Sequence, residues 1–78
     1  MGKSRVSNNI RTLRFHNEEM TQQQLADKAG VTRQTIIAIE SAKYSPSLEL
    51  AFRIALAFNV KLEEVFSFSP EEIEGVKS

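Results

Sequence analysis

Apolar residues recur along most of the chain at intervals of three and four positions, which is the period of an amphipathic α-helix. Val6, Ile10 and Leu13 mark a first helix at about residues 6–17. The same spacing predicts four more helices, at about 22–29, Arg33–Ser41, 48–58 and Leu62–Phe66. The chain lacks the features that would indicate strands, namely an alternating run of β-branched residues and an Asn-Gly or Asp-Gly turn. The pattern therefore predicts an all-α fold of five short helices.

Capping residues support these boundaries. Thr21, followed three positions later by Gln24, predicts a capping box at the start of the second helix. Gly30 can end that helix in the left-handed conformation, and Asn59 can end the fourth helix in the same way. Hydroxyl side chains that suit an N-cap precede the third and fourth helices, at Thr32 and Ser47. A final helical turn is predicted at Ser69-Pro70-Glu71-Glu72.

A chain of 78 residues, 41% of them apolar, has room for one globular domain. The predicted helices place this domain at residues 1–68, followed by a short acidic tail at 69–78. The formal net charge is zero, but residues 1–17 carry four basic and no acidic side chains. Residues 61–78 carry five acidic and two basic side chains, so the remainder of the chain has a basic excess. That asymmetry allows an anionic partner on one face.

Several kinds of site are excluded or disfavoured by composition. The chain has no cysteine, which excludes disulfides, thiolate metal sites and thiol catalysis. One histidine, His16, cannot form a zinc site alone. No run approaches the roughly 20 apolar residues of a membrane span, and the polar start is unlike a secretory signal. We therefore expect no metal site and no membrane association.

The most informative segment is 22–40, where two short helices are joined by a very short turn. Such a turn makes the helices cross steeply, so small residues are needed where they approach, as at Ala26 and Gly30. Val31, Ile36 and Ile39 fill the wedge from the other side. This pattern is typical of a helix-turn-helix. An ordinary helical hairpin is the alternative.

The run from Thr21 to Ile36, TQQQLADKAGVTRQTI, resembles the Cro/C1-type (XRE) helix-turn-helix family. Ile39-Glu40, Pro46-Ser47-Leu48 and Ile54-Ala55 extend the resemblance, which covers about residues 6–66. It is nearest to small stand-alone regulators. The resemblance implies a five-helix bundle of the phage-repressor DNA-binding-domain type, cytoplasmic location, binding of a double-stranded DNA operator and frequent homodimers, without catalysis or cofactor.

The third helix would be the recognition helix, with Ile36, Ile39 and Glu40 facing the core. Four other positions then face outward and are predicted to contact bases: Arg33, Gln34, Ile37 and Ala38. An arginine can bond O6 and N7 of guanine, a glutamine can bond N6 and N7 of adenine, and an isoleucine can contact the methyl group of thymine. The alternative for the polar residues is plain solvation at the start of a helix.

Five residues beside the recognition helix are predicted to contact phosphates: Gln22, Thr32, Ser41, Lys43 and Tyr44. Gln22 opens the second helix, whose free N–H groups favour an anion, and the matching glutamine of the family contacts phosphate and braces the recognition helix. Lys43 and Tyr44 match family positions that often touch the backbone. Arg14 and Glu40 match a family ion pair, which we interpret as structural.

The sequence departs from the family pattern in two places. Ala42 stands where the family usually has glycine to end the recognition helix in a left-handed turn. Either this alanine adopts the strained conformation, at about 1 kcal/mol, or the helix ends differently. The turn at His16–Met20 is one residue longer than usual and lacks the usual glycine. We expect this to change a loop and not the DNA-facing surface.

The fourth helix is apolar almost all round. Its core stripe is predicted to contain Leu48, Ala51, Ile54, Ala55 and Phe58. The remaining apolar residues are predicted to form a homodimer interface: Phe52, Leu56, Phe66 and Phe68. Related repressors use the same edge. The alternative is that the acidic tail folds back over Phe52 and Leu56.

Two functions therefore fit the sequence. The first is a sequence-specific DNA-binding transcriptional regulator, a repressor acting as a homodimer. The second is an antitoxin or a protein-interaction adaptor with the same fold. An antitoxin normally carries a segment that wraps its toxin, and residues 69–78 are short for that role.

Overall fold

The structure, a computed structural model, describes residues 6–68. These residues form five helices and two short strands. In chain order the elements are β1 (Val6–Asn8), α1 (Ile10–His16), α2 (Gln22–Ala29), α3 (Arg33–Glu40), α4 (Leu48–Phe58), α5 (Leu62–Val65) and β2 (Phe66–Phe68). The predicted acidic tail at 69–78, with its helical turn at Ser69-Pro70-Glu71-Glu72, lies outside the described residues.

The predicted N-caps are confirmed. Thr21 accepts a hydrogen bond from the N–H of Gln24, whose side chain in turn accepts from the N–H of Thr21, which completes the capping box. The side chain of Thr32 accepts from the N–H of Thr35 at the start of α3. Ser47 accepts from the N–H of Leu50 at the start of α4. Each cap satisfies a backbone donor that has no partner within its helix.

Three helices end in the same hydrogen-bonded turn, with a left-handed residue just after the last helical turn. These residues are Gly30, Ala42 and Asn59, with φ of 76°, 64° and 59°. In α3 the N–H of Lys43 donates to the carbonyl of Ala38, and the N–H of Ala42 donates to Ile39. This is the Schellman pattern, which satisfies carbonyl groups at a helix end. Of the two expectations for Ala42, the strained conformation is the one found.

The core lies where α1 to α5 converge. Its largest fully buried side chains are Ile10, Leu25, Ile36, Ile39, Ile54 and Val65. The prediction for α4 is right for four of its five positions and wrong for Leu48, which is 67% exposed. Leu50 is buried instead. The reason is that Leu48 is the first residue of α4 and lies four positions before Phe52 and eight before Leu56, on the outer face of the helix.

The prediction of an all-α fold is confirmed for its five helices but is incomplete, because a short strand lies at each end of the described chain. Residues 6–8, expected in the first helix, form β1, and Phe66, expected in the fifth helix, begins β2. The two strands pair antiparallel, with Val6 opposite Phe68 and Asn8 opposite Phe66. Each strand has three residues, too few for an alternating pattern to be visible in the sequence. The strands form because the helical bundle brings the two segments together.

The longer turn between α1 and α2 contains two consecutive left-handed residues that are not glycine. Glu18 and Glu19 have φ of 59° and 57°. Arg14 and Met20 close the turn with two hydrogen bonds: the N–H of Met20 donates to the carbonyl of Arg14, and the Arg14 guanidinium donates to the carbonyl of Met20. The connection from α1 to α2 is therefore held by Arg14 and Met20.

Candidate nucleic-acid interface

Helix α3 is fixed in the bundle by its apolar side and leaves the other side accessible. Ile36 and Ile39 are fully buried. The short turn between α2 and α3 depends on Gly30, since its φ of 76° is one that residues with a Cβ rarely adopt. Val31 continues the turn and packs against the core. The short connection therefore presents α3 at the surface with its N-terminal end free.

The four predicted base-contact residues do not share the same exposure. Arg33 and Gln34 are exposed at the N-terminal end of α3. Ile37 and Ala38 are half-buried, so the expectation that both project freely outward is only partly met. Ile37 lines a cleft between α1 and α3. The accessible part of the helix is therefore polar at its start and apolar in its middle.

The five predicted phosphate-contact residues lie at the two ends of α3. Gln22 is at the start of α2, and its side-chain amide donates a long hydrogen bond, 3.5 Å, to the Glu40 carboxylate. The Thr32 hydroxyl oxygen is 3.1 Å from that of Thr35. Ser41 donates its hydroxyl to the carbonyl of Ala38. Lys43 and Tyr44 are exposed in the loop that follows.

Arg14 and Glu40 form an ion pair beneath α3. Arg14 donates through Nη2 to Oε2 of Glu40 at 2.9 Å and through Nε to Oε1 at 3.2 Å. The two side chains are only 17% and 13% exposed. This two-point geometry uses the planar fork of the guanidinium. The pair joins α1 to the last residue of α3, and it compensates the negative charge of Glu40 next to the accessible face.

Arg11 is a further candidate contact that the sequence pattern did not single out. This exposed residue of α1 lines the cleft that also contains Gln22, Ile37 and Ser41. It lines a second, adjoining cleft with Gln22 and Arg33, in which Glu19 contributes an opposing charge. The signal that could have found it is the basic excess of residues 1–17 together with the helical period, which puts Arg11 three positions before Arg14.

The predicted dimer interface divides into two groups. Phe52, Leu56 and Phe68 are exposed, whereas Phe66 is partly buried and packs against the core. Phe66 therefore contributes to the fold of the monomer more than to a free surface. Leu48, wrongly assigned to the core, joins Phe52 and Leu56 in an exposed row along α4. We call Leu48, Phe52 and Leu56 the α4 stripe.

Within residues 6–68, no cluster of His, Cys, Asp or Glu has the arrangement needed to hold a metal ion. Over the same range, no helix is long and apolar enough to cross a membrane.

Comparison with known proteins places this geometry in a family. A helix-turn-helix family model matches residues 10–65. An uncharacterized HTH-type transcriptional regulator of Methanocaldococcus jannaschii is 57% identical over 58 residues, which are 74% of this chain and 85% of the relative. One from Archaeoglobus fulgidus is 52% identical, over 72% of this chain and 80% of its own. YgzD of Bacillus subtilis, also an uncharacterized HTH-type transcriptional regulator, is 49% identical over 65% of this chain and 77% of its own length.

Among solved structures, a candidate DNA-binding protein of Bacteroides fragilis superposes with a TM-score of 0.70 at 26% identity. The match covers 80% of this chain and 98% of that one. None of the relatives named here is described as an enzyme. The sequence match over residues 10–65, the capped α2 and α3 with their glycine turn, and the ion pair beneath α3 lead to one conclusion: the chain belongs to the Cro/C1-type (XRE) helix-turn-helix family.

Proposed function

We propose that this chain is a sequence-specific regulator of transcription that binds double-stranded DNA in the cytoplasm. In this proposal a homodimer inserts one α3 helix per protomer into the major groove. The observation that carries it is the arrangement of α3. Its buried side fixes it in the bundle, its accessible side begins with Arg33 and Gln34, and candidate phosphate contacts flank both of its ends.

The dimensions and the chemistry of α3 support this proposal. An α-helix with its side chains is about 10–12 Å across, and the major groove is about 12 Å wide. Arg33 and Gln34 have the donor and acceptor groups that distinguish guanine and adenine there. Arg11 in the cleft beside α3 and Lys43 in the loop after α3 supply exposed positive charge. Phosphate contacts position such a helix, and base contacts give it sequence preference.

Homodimerisation and repression are further parts of the proposal. The α4 stripe is an apolar surface of the kind that marks an interface. A symmetric dimer would read two inverted half-sites whose centres are about 34 Å apart, one turn of DNA.

Selection of binding sites from a random pool of DNA duplexes tests the proposal. We expect enrichment of an inverted repeat, and affinity for it that falls roughly 1,000-fold or more between low and moderate salt, as neutralisation of several phosphates requires. An adaptor or antitoxin that contacts only protein would enrich no sequence and show no such salt dependence. That result would replace the regulator with the alternative function.

A further inference from the structure

Asn8 makes a set of hydrogen bonds that joins three elements. It is the last residue of β1, where it pairs with Phe66 of β2. Its side-chain oxygen accepts from the N–H of Ile10 at 3.0 Å, at the start of α1. Its side-chain nitrogen donates to the carbonyl of Ile39 at 2.9 Å and to that of Glu40 at 3.4 Å. One half-buried amide thus contacts the beginning of α1 and the end of α3.

The carbonyls that Asn8 contacts belong to the last turn of α3. Carbonyl groups at a helix end have no partner within the helix and must find one elsewhere. The carbonyl of Ile39 already accepts from the N–H of Ala42, and Asn8, 31 positions away in the sequence, adds a second donor to it. Asn8 also donates to the carbonyl of Glu40. The end of α3 is therefore fixed by a residue from the terminal sheet as well as by its own Schellman turn.

Asn8 differs in this respect from Arg14, which also contacts the end of α3 from another element. Arg14 contacts the side chain of Glu40. Asn8 contacts the backbone of Ile39 and Glu40, so it constrains the path of the chain itself. That path leads directly into Ser41, Lys43 and Tyr44. These are three of the candidate phosphate contacts, and their placement depends on where the helix ends.

We propose that Asn8 is a positioning residue for DNA binding. It links the two-stranded sheet to the end of α3. It thereby holds the 41–44 loop in the position from which its candidate phosphate contacts reach the DNA backbone. The effect of Asn8 on DNA binding rests on the proposed function. The link between Asn8 and the 41–44 loop can be tested without DNA.

Three variants separate this role from general stability. Asn8→Ala removes the hydrogen bonds to α1 and to α3 together. Asn8→Asp retains an acceptor for the N–H of Ile10 and puts a negative charge near the start of α1, where it is favourable. It also replaces the donor to α3 with a carboxylate facing two carbonyls at a helix C-terminus, where it is unfavourable. Asn9→Ala is the matched control, because Asn9 is the adjacent residue and its side chain donates to Glu64 of α5.

Amide hydrogen exchange, measured on the full chain, tests directly whether Asn8 holds the 41–44 loop. We expect the amides of Ser41, Ala42 and Lys43 to exchange about tenfold faster in both Asn8 variants, since the loss of a hydrogen bond of usual strength corresponds to roughly that factor. Amides of the core of α4, such as that of Ile54, should change much less. Asn9→Ala should leave the 41–43 amides within about twofold of the original protein.

Measurements of DNA affinity test whether the position of the loop matters for binding. Both Asn8 variants should lose about tenfold in affinity for the selected operator and for unrelated duplexes alike, because the displaced contacts are to phosphates. Asn9→Ala should bind as the original protein does. Lack of DNA affinity in the original protein would overturn the proposed function, and the exchange data would still decide whether Asn8 holds the loop.

Three results would overturn the inference. In the first, Asn8→Asp exchanges at 41–43 as the original protein does, which would assign Asn8 to the start of α1 alone. In the second, exchange accelerates equally in α3 and in α4, which would make Asn8 a general stabilising residue. In the third, Asn9→Ala accelerates the 41–43 amides as much as Asn8→Ala.

Discussion

The Arg14 guanidinium binds both oxygens of the Glu40 carboxylate and so ties α1 to the last residue of α3. Because both side chains are largely buried, removal of one partner leaves the other charged group poorly solvated. We expect Arg14→Ala to lower the free energy of unfolding by about 2–4 kcal/mol, as measured by urea denaturation. The double variant with Glu40→Ala should cost less than the sum of the two single variants.

The control for this prediction is the exposed pair of Glu49 and Arg53 on α4, 2.7 Å apart. Glu49→Gln should change the free energy of unfolding by less than about 1 kcal/mol, because exposed ion pairs contribute little. Additive effects of the two variants at Arg14 and Glu40 would show that the pair contributes no coupling.

Ala42 has a left-handed backbone conformation that favours glycine. Relief of about 1–2 kcal/mol of strain exceeds the 0.5–1 kcal/mol that glycine costs in the unfolded chain. We expect Ala42→Gly to raise the free energy of unfolding by about 0.5–1 kcal/mol. Ala38→Gly, the same substitution inside α3, should lower it by a similar amount. Thermal unfolding of both variants measures the difference, and the same sign for both would contradict the strain argument.

Arg33 is expected to read a base. Arg33→Ala should relax the base preference at one position of the selected site and weaken binding to that site by about 1–3 kcal/mol. The preference at the other positions should stay unchanged. Gln22→Ala, which removes a candidate phosphate contact, should weaken binding to all sequences alike. Site selection repeated with each variant distinguishes these outcomes. A uniform loss for Arg33→Ala would remove its role in sequence preference.

Arg11 is expected to add a phosphate contact from α1. Arg11→Ala should weaken binding to every duplex and reduce the slope of affinity against salt concentration by about 1. Arg53→Ala is the matched control, since Arg53 lines a different cleft with Val31 and Leu50. Binding titrations at several salt concentrations provide both numbers. An unchanged slope for Arg11→Ala would place this residue outside the interface.

The α4 stripe is expected to join two protomers. Leu56→Glu introduces a charge at its most exposed position and should convert a dimer to a monomer in analytical sedimentation at tens of micromolar. Phe15→Glu, at an exposed aromatic residue of α1, should leave the dimer intact. If the original chain is already a monomer at this concentration, the dimer is excluded.

Features that depend on neighbouring residues could be predicted from the sequence. The caps at Thr21, Thr32 and Ser47 were predictable because an N-cap bonds a backbone group only three residues away. The left-handed stops at Gly30 and Asn59 follow from backbone preferences of single residues. The pairing of Arg14 with Glu40, although distant in sequence, was accessible through resemblance to the family and not through any local rule.

Other features depend on which segments the bundle brings together. Val6–Asn8 continues the apolar spacing of the first helix, yet pairs with Phe66–Phe68 because the two ends of the domain meet. Leu48 looks like a core residue by type, but the packing of α4 buries Leu50. No spacing in the sequence indicates that Asn8 reaches Ile39, since the contact requires the sheet to exist first.

The amino-acid sequence by itself determined the helices α2, α3 and α4, their caps and the turn at Gly30, because these depend on interactions within a few residues. It also determined the family, because the motif is continuous along the chain. Tertiary structure alone decided the terminal sheet, the half-burial of Ile37, the exposure of Leu48 and the bond from Asn8 to the end of α3. These arise from contacts between distant segments, whose geometry is fixed only when the helices pack.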